Sequence, residues 1–272
     1  MEVLVYKKPV FFLKYETQKN YVLLRTQNVK RKEFFGMKKI LFALITVASV
    51  ATLHAQTAKP VVKPATVKPV VQVQRMVEIK TNYGIMVVKL YNETPLHRDN
   101  FIKLVKEGFY DSTLFHRVIE SFMIQGGDPQ SKNADSAAML GNGSAPGEMI
   151  PAEFRPSLLH KKGALAAART DNPEKASSNC QFYIVQGRKY DDVEINQIEC
   201  NVRGNNPAFT YSPAQRNIYK TAGGTPFLDQ NYTVFGETIK GLDVVDKIAA
   251  VDKDGNDRPL KDVIVLKMRM LN

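Results

Sequence analysis

From position 76 onward the chain consists of short apolar runs separated by turn residues, and this pattern confines it to a β-rich architecture. Runs 76–82 and 85–91 are rich in β-branched residues and meet at Asn82-Tyr83-Gly84, a hairpin signal. Further runs follow at 114–119, 122–125, 163–168, 181–186, 233–237 and 263–268. Two helices interrupt them. Thr94-Pro95 suits an N-cap and first helical position, and Leu96, Phe101, Leu104 and Val105 give one apolar face ending near Gly108. A second helix is expected over about 242–249. Many short strands with two amphipathic helices predict a β-barrel with helices closing its ends.

The N-terminal quarter has a different composition. Met37-Lys38-Lys39, the apolar stretch 40–53 and the small residue Ala55 follow the order of a secretory signal peptide over 37–55, with cleavage before Gln56. The apolar stretch falls short of the roughly 20 residues that span a bilayer. Residues 1–36 then read as an over-extended start or a tail. Residues 56–75, with Pro60, Pro64 and Pro69, read as an extended spacer, which leaves 76–272 as the folded domain. A periplasmic or secreted location is expected.

The net charge of +11 would invite a nucleic-acid partner, but its distribution argues against one. Residues 1–75 hold 14 Lys/Arg against 3 Asp/Glu, leaving 24 of each sign for the rest. The domain is neutral, so no nucleic-acid binding is expected. Cys180 and Cys200 form no CxxC pair, and His54, His97, His116 and His160 are scattered, so no metal site is expected. In an oxidising compartment the two cysteines are candidates to pair, closing a loop of about 20 residues.

Segment 187–225 breaks the strand pattern. It is polar, with one candidate helix near Asp191, Asp192 and Glu194 and another near 213–220. It reads as a lid or a tolerated surface insertion, and the insertion is favoured because no residue in it forms an obvious catalytic group.

The chemistry concentrates in Phe115-His116-Arg117-Val118-Ile119 and Phe122-Met123-Ile124-Gln125-Gly126-Gly127-Asp128-Pro129. Strand alternation brings Arg117 near Phe122 and Met123, and a cation beside an apolar pocket needs a partner or a substrate. These words resemble the signature of the cyclophilin family of prolyl isomerases. The resemblance continues at Gly141-Asn142-Gly143, Ala152-Glu153-Phe154, 163–169, Gln181-Phe182-Tyr183-Ile184, Val234-Phe235-Gly236 and 241–248.

The resemblance implies a closed eight-stranded antiparallel barrel capped by two α-helices. It implies Arg117 as the catalytic arginine and Phe122, Met123, Tyr183 and Leu228 as walls of a proline pocket. Gln125 and Gln181 would bind the substrate backbone, and Ala168 and Arg169 would flank the neighbouring peptide position, with Arg169 at a solvated rim. Phe227 stands where the best-known eukaryotic members carry Trp, and Tyr232 where they carry His. Losing the indole donor leaves catalysis expected but weakens the expected binding of cyclosporin-type ligands. His116 is expected to be structural, and no cofactor is expected. The partners implied are proline-containing unfolded or flexible polypeptides, with no stable membrane insertion after signal cleavage. The alternative readings are a proline-peptide binding chaperone or scaffold with little turnover and an assembly factor docking through 187–225.

Overall fold

The structure, a computed structural model, describes residues 74–271. The expectations for the signal peptide and most of the spacer lie outside the described residues. Strand β1 (Arg75–Thr81) turns at Asn82-Tyr83 into β2 (Gly84–Leu90), with Val77 opposite Val88 and Ile79 opposite Met86. All four of these side chains are fully buried, the consequence of alternation on a strand with one covered face. The remaining strands are β3 (Phe115–Ile119), β4 (Met123–Gly126), β5 (Ala164–Ala167), β6 (Phe182–Val185), β7 (Val234–Lys240) and β8 (Val265–Leu271). Every neighbouring pair is antiparallel, in the order β3-β4-β6-β5-β7-β2-β1-β8.

The eight strands form one curled antiparallel sheet whose end strands, β3 and β8, share no continuous ladder. Their approaches meet instead. Ser112 N donates to Val265 O at 2.8 Å, Val265 N to Thr113 O at 2.8 Å, and Phe115 N to Val263 O at 2.9 Å. These bonds join the first residues of β3 and β8 and the segments before them, around an antiparallel bridge between Leu114 and Ile264.

Helix α1 (Pro95–Lys106) packs Phe101, Ile102, Leu104 and Val105 into the main core, as expected. Thr94 does occupy the N-cap, yet its hydroxyl makes no capping bond and is buried without a partner. Glu153 supersedes it: its carboxylate accepts from Leu96 N at 3.2 Å and His97 N at 3.0 Å. A carboxylate at a helix N-terminus satisfies orphan donors and complements the dipole in one contact. Helix α4 (Leu242–Ala249) covers the sheet with Val244, Val245, Ile248 and Ala249.

The two candidate helices of 187–225 are present as α2 (Asp192–Arg203) and α3 (Pro213–Thr221), which with α1 and α4 make four helices among the described residues. Each begins with a reciprocal capping box, Asp191 with Glu194 and Ser212 with Gln215. Their apolar sides close a separate cluster of Leu159, Tyr190, Ile195, Val202, Phe209, Tyr211 and Tyr219. The segment is therefore packed on its own core, not laid over the surface. Among the described residues no helix is long and apolar enough to cross a membrane. The expected Cys180–Cys200 bond is absent: both thiols are free, Cys180 buried and Cys200 exposed on α2.

Candidate active site

The two faces of the sheet do different work. Along β6, Phe182 and Ile184 enter the main core, while Tyr183 and Val185 point to the opposite face. Strand β4 repeats the division, with Ile124 inward and Met123 outward. The outward side chains form a second cluster with Ala166, Ala168 and Val234, against which Phe122, Leu228 and Tyr232 pack.

Register then assembles the site. Arg117 lies opposite Gln125 on β4, Gln125 opposite Tyr183 on β6, and Tyr183 opposite Ala166 on β5. A cavity of about 180 Å³ opens there, lined by Arg117, Phe122, Met123, Gln125, Ala168, Arg169, Tyr183, Leu228 and Tyr232. Nine of the eleven residues singled out in the sequence thus meet around one volume. Gln181 borders an adjoining cavity, also about 180 Å³, which shares Gln125, Ala168 and Arg169 with the first. Phe227 lines neither. It stands 46% exposed outside, its ring 5.7 Å from that of Phe122.

Polar side chains at the rim form one directed chain. Arg117 Nη1 points to Gln125 Oε1 at 3.5 Å, Gln125 Nε2 donates to Gln181 Oε1 at 3.2 Å, and Gln181 Nε2 donates to Gly141 O and Gly143 O at 2.9 and 2.8 Å. Gln181 fixes which end of the Gln125 amide faces the arginine. The guanidinium is held loosely: Asp257 is 3.8 Å away, and the side chain is 43% exposed. It has free donors to offer.

Arg169 departs from the solvated rim expected of it. Its guanidinium lies 4.7 Å from the centre of the Tyr232 ring, and it donates to Asn231 O and Oδ1 at 3.3 and 3.1 Å. The cation is spread over an aromatic face and a carbonyl, so its side chain is only 7% exposed. The turn after β4 is equally fixed. Gly127 has φ of 93°, and a Cβ there would collide with Cys180 O, so only glycine fits.

His116, neighbour of Arg117, is buried with neither ring nitrogen hydrogen-bonded, and desolvation pushes its pKa down to about 4. It lines a third cavity of about 470 Å³ on the far side of Arg117, with Met139, Leu140 and Arg258. The motifs reach one side of that cavity, while Met139, Leu140 and Arg258 lie outside them. The sequence also gave no signal for the group behind Tyr183, whose hydroxyl lies 3.1 Å from His160 Nε2. Burial raises the Tyr183 phenol far above its usual range, so it stays protonated.

Residues 76–270 match the family model described as cyclophilin type peptidyl-prolyl cis-trans isomerase/CLD. A Staphylococcus haemolyticus protein named as a peptidyl-prolyl cis-trans isomerase is 36% identical over 190 residues, covering 70% of this chain and 87% of that one. A Streptococcus pyogenes protein named as a bifunctional phosphatase/peptidyl-prolyl cis-trans isomerase is 38% identical over 194 residues, but the match covers only 37% of that longer chain. A Cryptosporidium parvum cyclophilin crystal structure shares the fold, with a TM-score of 0.55, 22% identity, and coverage of 74% of this chain and 99% of that one. A second crystal structure of that protein, in the presence of the dipeptide Ala-Pro, gives a TM-score of 0.51. The chain belongs to the cyclophilin-type peptidyl-prolyl cis-trans isomerase family.

Proposed function

We propose that this isomerase acts on X–Pro bonds of exported proteins during folding, with Arg117 as its catalytic residue and the Met123–Tyr183 cavity as its proline site. The observation that carries the reading is a half-exposed guanidinium, poorly paired within the protein, at the mouth of an apolar cavity of about 180 Å³. Phe122, Met123, Leu228 and Tyr183 offer a ring-sized apolar wall, and Gln125 offers an amide to the substrate backbone. The Ala-Pro dipeptide in whose presence the second Cryptosporidium structure was determined has the chemistry this site would take.

An X–Pro bond turns slowly because amide resonance raises a barrier of about 18–20 kcal/mol. Twisting the bond localises the lone pair on nitrogen, and a donor aimed at that nitrogen binds the twisted state more tightly than the planar one. The planar fork of Arg117 also reaches the adjacent carbonyl oxygen. Each ~1.4 kcal/mol gained only in the twisted state speeds rotation tenfold. Proline is held by apolar contact equal in both states, which gives affinity without rate. No proton changes place and no covalent bond forms.

Export rests on the Lys38-Lys39, 40–53 and Ala55 pattern. The test has two parts. NMR exchange on a short Ala-Pro peptide with the purified protein should show catalysed rotation, and its absence would overturn the enzymatic reading. Mass spectrometry of the protein recovered from the cell envelope or medium should find Gln56 at the N-terminus, and material retaining residues 1–36 would overturn the export reading.

A further inference from the structure

We infer that the 187–225 segment supplies positioning residues for the proline cavity: Tyr211 and Tyr219 act on the wall residue Tyr183 through Asp229 and His160. The inference rests on reading that cavity as the proline site. Its core is one buried carboxylate. Asp229 is 1% exposed, and its two oxygens accept four hydrogen bonds. Oδ1 takes His160 N at 2.9 Å and His160 Nδ1 at 2.7 Å, while Oδ2 takes the Tyr211 hydroxyl at 2.7 Å and the Tyr219 hydroxyl at 2.5 Å. A carboxylate in an apolar interior is stable only when its acceptor positions are filled. Both donors on Oδ2 come from the segment.

The other side of the histidine faces the site. Asp229 Oδ1, 2.7 Å from His160 Nδ1, can only accept, so Nδ1 carries the proton toward it and Nε2 pairs with the Tyr183 hydroxyl at 3.1 Å. The two rings stack at 6.2 Å with 14° between planes. The hydroxyl is thereby held away from the cavity, and only the ring of Tyr183 meets a bound proline. Leu228, on the same cavity, is the residue preceding Asp229. The segment's base is tied to the same point: Arg188 and Gly224 exchange backbone bonds of 3.2 and 2.9 Å, and Thr225 N donates to His160 O at 2.8 Å.

Removing the Tyr219 hydroxyl leaves Asp229 one donor short. Its carboxylate and His160 then re-aim, and the Tyr183 hydroxyl is released toward the cavity, where it would be desolvated against an apolar ring. This loosens ground state and twisted state alike, so KM rises and kcat is kept.

The test is a cycle on the full protein with Tyr219→Phe, Tyr183→Phe and the double variant. Tyr219→Phe keeps its ring in the Leu159–Tyr190–Ile195 cluster, and thermal unfolding verifies that it folds. It should lower kcat/KM on an Ala-Pro peptide about fivefold, through KM. In the Tyr183→Phe background, where no hydroxyl remains to misplace, the same change should cost less than about twofold. Equal factors in both backgrounds would overturn the inference, because a merely structural role is blind to Tyr183. The His160 ring nitrogens give a readout independent of turnover. Tyr219→Phe should move their NMR signals, and unmoved signals would also overturn the relay. Moved signals in a protein that turns over no peptide would keep the relay and sink the functional reading instead.

Discussion

Arg117 and Gln125 face each other across the β3–β4 pair, with Nη1 3.5 Å from Oε1. The amide orients the guanidinium without holding it, and Asp257, at 3.8 Å, is too distant to neutralise it tightly. Arg117→Ala should lower kcat/KM on the order of 10²-fold or more, with Arg117→Lys a partial rescue, because an ammonium lacks the planar fork. Stability should change by less than about 1 kcal/mol, since partly exposed pairs contribute little. A prolyl-peptide exchange assay beside a thermal melt checks both. Full activity in Arg117→Ala would remove this residue from the mechanism.

The local parts of this fold were legible in the sequence. Each apolar run became a strand within a few residues, the turn at Asn82-Tyr83 is where β1 meets β2, and α4 spans the expected residues. What was missed acts over long separations. Glu153 caps α1 from 57 residues away, and neither sequence position announces the other. The seam between β3 and β8 depends on how far the sheet curls. The 187–225 segment read as surface because its apolar residues are sparse, yet Tyr211 and Tyr219 are nearly fully buried. Phenols are half polar by composition and count as core only once Asp229 is seen to accept from both. The cavity walls were readable from the family resemblance, with Phe122 and Met123 in the motif around Arg117 and Tyr183 and Leu228 carried over beyond it, while the exposed stance of Phe227 was not.

Phe227 sits outside the cavity, its ring tilted against that of Phe122, and its side chain has no polar atom to offer a ligand. Cyclosporin should therefore bind weakly, and Phe227→Trp should tighten it about fivefold or more by restoring an indole N–H at an exposed edge. Isothermal titration of the two proteins decides the matter. Equal affinities would show that the missing donor is irrelevant.

The two thiols should react unequally. Cys180 is buried, its Sγ 3.8 Å from Gly143 O, and burial raises its pKa, so little thiolate forms. Cys200 is exposed on α2. Alkylation of the folded, unreduced protein should label Cys200 alone, and denaturation should add one further label at Cys180. A mass showing no label in the denatured, unreduced protein would establish a disulfide and contradict this geometry.

The pH dependence of stability should carry the mark of His116. Its ring is 4% exposed, both nitrogens lack partners, and desolvation is the largest influence lowering its pKa from 6.5 to about 4. Asp128 and the Leu114 backbone favour the charged ring but do not offset burial, while Arg117 and Arg258 oppose that charge. Above pH 6.5 the ring is neutral in folded and unfolded chains, so this group's contribution is fully present. As pH falls below 6.5 the unfolded chain takes up a proton that the folded one refuses, and stability falls by about 1.4 kcal/mol per pH unit. The loss ends near pH 4, where the folded ring also charges, for a total of about 3 kcal/mol. Burial lowers His97 as well, against the pull of Glu153, so its slope has the same sign. Urea midpoints measured between pH 7.5 and 4.5 should therefore decline, and His116→Gln should flatten much of the decline. An unchanged slope in that variant would assign the acid sensitivity to other groups.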